Sequence, residues 1–431
     1  MSEVTQVLLA NGLKILLKEI QTAPLISQWL WYRVGSKDEP SGRTGISHWV
    51  EHMQFKGTPQ FPAAILDKAI SREGGSWNAF TFLDWTTYYE TMPTAKIDLA
   101  LRLEADRMVN SAFDSAEVES ERTVILSERE GHENEPLFRL GEAIQAASFR
   151  VHPYHHEVIG DTADLHSLNA ADLRQHYQAY YTPNNAVLAL AGDFETDEIL
   201  ARLNELYGDL PAGPPPPRLN RPEPPHHGEI RLEVSGPGET TYLQAAYPHV
   251  SGAHPNFHAL AVLDSLLAGP SNLNMFGGGG ISNRTSRLYR ALVEKELAVG
   301  LHAGASSTID PFLYAITLTI HPERTFAESL SALDAEIARM QDALVTSAEI
   351  QRAIKQARAM FAFGAENITN QAFWLGYAEM FADYSWFQNY LERLAAVTPE
   401  DVRRVAGEYL KPSQRVVGIY QPDGSSAEEA E

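Results

Sequence analysis

The sequence predicts an α+β protein of two homologous domains, each an antiparallel sheet packed with helices. Three observations carry this. The chain has 431 residues, more than one core needs. A proline-dense stretch, "LPAGPPPPRLNRPEPPHHG" from Leu210 to Gly228, cannot lie inside a helix or central strand and reads as a linker. The segments on either side of it repeat. "NAADLRQHYQAYYTPNNAVLAL" starts at Asn169 and "TPEDVRRVAGEYLKPSQRVVGI" at Thr398. Asp172, Arg174, Tyr180, Pro183 and Val187 match Asp401, Arg403, Tyr409, Pro412 and Val416, every pair 229 apart. Five matches in register, at a period far beyond that of a solenoid, make the repeating unit a domain. The expected division is a first domain over 1–212, a linker over 213–228 and a second domain over 229–431.

The elements follow in chain order. Asn11-Gly12 splits two short apolar runs and predicts a hairpin. "APLISQWLWYRVGS" reads as a strand and "GISHWVEHMQF" as a helix. "NAFTFLDWTTYYETMP" reads as strands, and "AKIDLALRLEADRMVNSAF" and "EVESERTVILSEREGHENEP" as helices. In both copies of the repeat a polar-capped helix ends before a proline and a β-branched strand follows. Strands preceding helix pairs, without regular βαβ alternation, argue for α+β.

Composition removes several classes of function. The 56 acidic residues against 34 basic give a formal charge of -22, which repels nucleic acid and anionic membrane surfaces and favours cationic ligands. There is no cysteine, so thiolate metal sites, disulfides and a cysteine nucleophile are excluded. The N-terminus shows no basic segment followed by an apolar run, and no stretch reaches the ~18 apolar residues of a membrane span. The expectation is a soluble chain without a signal peptide.

The chemistry concentrates in "HWVEH". Residues four apart share a helix face, so His48 and His52 can ligate one ion together. Glu51 lies near that face and can act as base on a metal-activated water. Zinc suits imidazole and carboxylate, and a catalytic site takes three protein ligands. The third is sought among the glutamates after Glu117: Glu121 and Glu128 lie two turns apart on one face, flanking the apolar Val124–Leu126, and spacing does not choose between them.

This H-x-x-E-H order resembles the pitrilysin/insulinase family of zinc metallopeptidases, within it the mitochondrial-processing-peptidase-like branch. "LANGLKILL", "GISHWVEHMQFKGT", "GGSWNAFTFLDWTTYYETMP", "RLEADRM", "ERTVILSERE", "HPYHHEVIG" and "YYTPNNAVLALAGDF" carry the resemblance. It implies one zinc held by His48, His52 and Glu128, with Glu51 as general base and Glu121 supporting the site from behind. It also implies that Asn78 and Ala79 lie on an edge strand that pairs with extended peptide substrate, a mode that needs little sequence reading. The implied fold is two homologous domains facing each other across a chamber.

The second half departs from the pattern. It has no H-x-x-E-H, and His258 in "PNFHALAVLDSLLAG" is expected to be structural. Where active single-chain members carry an arginine and, seven residues on, a tyrosine that hold substrate, this chain has Val293 and Gly300; Arg287 and Tyr289 are near but out of register. The chain therefore resembles the catalytic subunit of a bacterial heterodimer whose zinc-free homologous partner brings that pair. The four glycines Gly277–Gly280 resemble a substrate-contacting loop of the non-catalytic subunit. His155-His156 and His226-His227 are expected to be exposed, and Trp49 and Trp77 to pack around the site. The competing function is a non-catalytic assembly subunit of the same fold; retention of His48, Glu51, His52 and Glu128 favours the peptidase.

Overall fold

The structure, a computed structural model, describes residues 3–270 and 283–424, without the side chains of 64–68. The glycine run 277–280 lies outside the described residues.

The Asn11-Gly12 turn forms as its residues dictate. Gly12 takes a φ of 89°, and the Asn11 amide donates to the carbonyls of Tyr207 and Leu210. The turn joins β1 (Thr5–Leu8) to β2 (Lys14–Glu19). β3 (Leu25–Tyr32), β4 (Ser76–Thr81), β5 (Thr86–Pro93) and β6 (Ala186–Gly192) complete a sheet of order β1-β2-β6-β3-β5-β4. The second sheet contains β7 (Ile230–Gly236), β8 (Tyr242–Pro248), β9 (Ala298–Ala305), β10 (Leu313–Ile320) and β11 (Val416–Pro422), in the order β7-β11-β8-β10-β9. Apart from β1 the two orders are the same.

The sheets are mixed, which corrects the antiparallel expectation. β6 runs parallel to β2, and β11 parallel to β7; the remaining pairs are antiparallel. β6 and β11 each enter their sheet after a long helical excursion, so no tight turn fixes their direction.

The duplication holds at atomic detail. Helices Ala170–Tyr180 and Pro399–Tyr409 are offset by the same 229 residues as the sequence repeat. Each starts with a capping box, Asn169 with Asp172 and Thr398 with Asp401. Each leads through a 3-10 turn, Pro183–Asn185 or Pro412–Gln414, into its strand.

The compact units are not contiguous halves. One comprises the residues up to Arg129, His156–Arg221 and Ala365–Tyr384; the other comprises Glu130–His155, Pro222–Gly364 and the residues from Ser385 on. The first unit's core stacks Trp29 on Trp31 and Tyr89 and closes them with Phe373 and Tyr377 of helix Ile368–Phe381, which is buried on nearly all sides. In the second unit, helix Pro136–Ser148 lays Leu140 and Ile144 against Ala246, Val416 and Tyr420. Gly418 allows that approach: a Cβ there would meet Leu140 Cδ1 at 2.8 Å. Adding 229 to 136–148 gives 365–377, which overlaps helix Ile368–Phe381, so each unit includes the corresponding helix of the other repeat.

No helix among the described residues is long and apolar enough to cross a membrane.

The first unit also buries one neutral histidine and the second two. Burial pushes His176 down to about 3, and His249 and His258 to about 4. Their unfolded counterparts take up a proton near pH 6.5. This part of the stability is therefore complete above pH ~6.5 and is lost as pH falls, by about 1.4 kcal/mol per pH unit per group. Between pH 7 and pH 5 the first unit is expected to lose about 2 kcal/mol from this source and the second about 4 kcal/mol. Urea unfolding of wild type and His176→Gln at the two pH values tests it, because the raised carboxyls of Glu51 and Asp38 act in the opposite direction; a pH dependence identical in the two chains contradicts it.

Candidate metal centre

The motif helix, Ile46–Gln54, sorts its residues by face. Ile46, Trp49, Val50 and Met53 recur at three- and four-residue spacing and are buried. His48 and His52 come from the neighbouring face, with rings 4.5 Å apart. The glutamate-rich helix Ser115–Glu133 is anchored by Val118, Glu121 and Ile125, while Val124 stays half exposed. Ile125 is therefore the buried member of the 124–126 run, with Leu126 half-buried. That orientation turns Glu121 and Glu128 toward the motif helix.

The two glutamates stand differently toward the imidazoles. His48 Nε2 and His52 Nε2 lie 3.3 Å apart, and Glu128 Oε2 lies 3.9 Å and 3.6 Å from them. For a metal held tetrahedrally at about 2.0–2.1 Å, ligand atoms are about 3.3–3.4 Å apart, so the triangle fits zinc with little adjustment. These are the one group of His, Asp and Glu side chains among the described residues with metal-site spacing. Glu121 sits behind it: its Oε1 is 2.8 Å from His52 Nδ1, and its other oxygen takes the Lys56 ammonium. A carboxylate on the far nitrogen of a metal-ligating imidazole fixes the ring and its tautomer.

Glu51 is buried, and its Oε2 accepts a 2.6 Å hydrogen bond from Thr81 Oγ1. Burial raises its pKa to about 7, against the lowering effects of Thr81 and His52. A divalent cation beside it acts in the lowering direction and favours the ionised form a base requires. Thr81 is the last residue of β4, so the edge strand and Glu51 are joined directly. The motif gave no sign of this bond.

Among the described strands β4 pairs with β5 alone, with Asn78 opposite Tyr89 and Ala79 opposite Tyr88, so its other edge has no described strand partner and suits strand addition. Asn78 Oδ1 accepts the Ala79 N–H at 2.9 Å. Trp77 packs on Phe55, and fully buried Trp49 lies under the Arg122 guanidinium, so both tryptophans serve packing as expected.

In the second unit, His258 is buried against Trp386 and Tyr390, a structural position. Val293 ends a π-helical turn, Tyr289–Val293. Gly300 lies in β9 opposite Thr319, and a Cβ there would touch only the Thr319 hydroxyl, at 4.0 Å. Arg287 does not stand in for the missing arginine, since its guanidinium is committed to Glu349 and Glu336.

One histidine expectation is corrected. His155 is exposed, but its neighbour His156 is buried and pairs with Glu39 at 2.9 Å. His226 is half-buried, 2.8 Å from the Ser148 carbonyl, and His227 is exposed. Adjacent side chains in extended or turn segments point to opposite sides, so one of a pair can be core while the other meets water.

The chain has relatives over nearly its whole length. Residues 14–162 match the family model described as insulinase (peptidase family M16), and residues 167–357 match the peptidase M16 inactive domain. An uncharacterized zinc protease of Streptomyces coelicolor is 27% identical over 96% of this chain and 89% of its own length. A probable mitochondrial-processing peptidase subunit beta of Arabidopsis thaliana is 27% identical over 96% of this chain and 77% of its own. The crystal structure of a protease from Helicobacter pylori superposes with a TM-score of 0.90 at 25% identity, covering 98% of this chain and 100% of that one.

Proposed function

Since the chain belongs to peptidase family M16, we propose that it is the zinc-bearing subunit of an endopeptidase that hydrolyses extended or unfolded peptides. The triangle of His48 Nε2, His52 Nε2 and Glu128 Oε2 is the observation that carries this reading. These three side chains would hold the metal, which when bound supplies Lewis-acid polarisation and lowers the pKa of water. Glu51 takes the proton from the attacking water and returns it to the leaving amine. Thr81 keeps the Glu51 carboxylate oriented for both transfers. The open edge of β4, at Asn78 and Ala79, takes the substrate as an added strand.

The substrate clamp comes from a homologous, zinc-free partner. Val293 and Gly300 offer neither a guanidinium nor a phenol, and Arg287 is tied to two glutamates. Two identical copies would bring the same deficit. The chain alone is expected to cleave unfolded peptides about a hundredfold more slowly than its mixture with that partner, the scale on which loss of near-attack positioning acts. Assays of the chain alone and of the mixture decide it. Equal rates would mean that this chain holds its substrate unaided.

A further inference from the structure

The motif helix begins without a capping side chain of its own. Its N-cap residue is Gly45, in a left-handed conformation with φ of 83°. A Cβ at Gly45 would lie 2.4 Å from the Ile159 carbonyl oxygen, so only glycine fits. The first-turn amides are satisfied from elsewhere. Glu39 Oε2 accepts the Gly45 N–H and Glu39 Oε1 accepts the Ser47 N–H, both at 2.8 Å. A carboxylate here also meets the positive end of the helix dipole. His156 Nε2 lies 2.9 Å from the same Oε2, and both side chains are essentially inaccessible, at 2% and 0%. Burial works against charge on His156, but the Glu39 carboxylate outweighs it and raises the pKa.

The segment after His156 closes on the same point. Asp161 N–H donates to Thr44 Oγ1 at 2.8 Å, while Asp164 Oδ2 accepts from both the amide and the hydroxyl of Thr44. The start of the helix that bears two imidazoles and the base is thus gripped by residues over a hundred positions away.

We propose that Glu39 and His156 are a positioning pair for the metal centre: Glu39 sets the rotation and height of the motif helix, and His156 holds Glu39. The proposal rests on the zinc-peptidase reading of the site. Neither residue touches metal or substrate. Their effect runs through the placement of His48, Glu51 and His52 relative to Glu128, which sits on a separate helix. A helix turned or slid by a few tenths of an ångström widens a triangle whose sides already stand at 3.3–3.9 Å.

Zinc affinity, by chelator competition, and folding, by circular dichroism and melting, should be measured on full-length wild-type, His156→Ala, His156→Gln and Glu39→Gln chains. With partner present, kcat and KM should be measured on the same set. Folded His156→Ala is expected to lose about 10–100-fold in zinc affinity, the scale seen when supports behind a metal site are removed, and to lose kcat with KM unchanged. His156→Gln, whose amide can donate to Glu39, should recover most of both. Wild-type zinc affinity and kcat in a folded His156→Ala chain overturn the proposal and leave the metal site standing. Losses in His156→Gln as large as in His156→Ala overturn it as well. If His156→Ala does not fold, wild-type zinc affinity in Glu39→Gln overturns it. A wild-type chain that binds no zinc overturns the zinc reading and this proposal together.

Discussion

Glu51→Gln is expected to retain its zinc and its fold while peptide hydrolysis by the complete enzyme falls about 10²–10⁴-fold, the range for removing a positioned acid–base group. The amide is nearly isosteric and can still meet Thr81 Oγ1, so packing at this buried site should survive. What it cannot do is accept a proton. Melting temperature, metal content and kcat on one preparation separate the possibilities. Loss of metal would make Glu51 a ligand. Near-normal kcat would remove it from proton transfer altogether.

Glu128→Gln is expected to empty the metal site, and Glu121→Gln only to weaken it. Glu128 offers an oxygen at 3.6–3.9 Å from both Nε2 atoms, whereas Glu121 addresses the opposite nitrogen of His52. Removing the one charged ligand leaves two imidazoles, which do not hold zinc against a chelator. Removing Glu121 leaves all three ligand atoms but frees the His52 ring, a loss of about 10–100-fold in affinity. Zinc titration of the two variants side by side settles the assignment. The reverse order, with Glu121→Gln the emptier, would exchange their roles.

The parts of this molecule that were legible in the sequence are those governed by short spacing. His48 and His52 lie one turn apart, and any helix brings them together. The repeat at offset 229 was equally readable, because caps, prolines and β-branched runs are local signals. Helix periodicity could not distinguish Glu121 from Glu128, because both face inward and only the distance to another helix separates them. Thr81, Glu39 and His156 were not read as parts of the site for the same reason: their bonds span 30, 6 to 8 and 117 residues and depend on tertiary packing. The parallel pairings of β6 and β11 were missed because no turn connects them to β2 and β7.

The exchanged helices have a consequence for how the polypeptide is made. When Arg221 leaves the ribosome, the first unit still lacks Ala365–Tyr384, and with it the rings that close over Trp29 and Trp31. Roughly 160 residues remain to be synthesised before that face can be covered, which takes about 8–30 s at common elongation rates. Throughout that interval the nascent chain carries an uncovered tryptophan surface. Chaperones that shield apolar segments during translation should therefore govern its yield more than the stability of the finished molecule does. A stop codon placed after the proline-rich segment should give insoluble product, not a free domain.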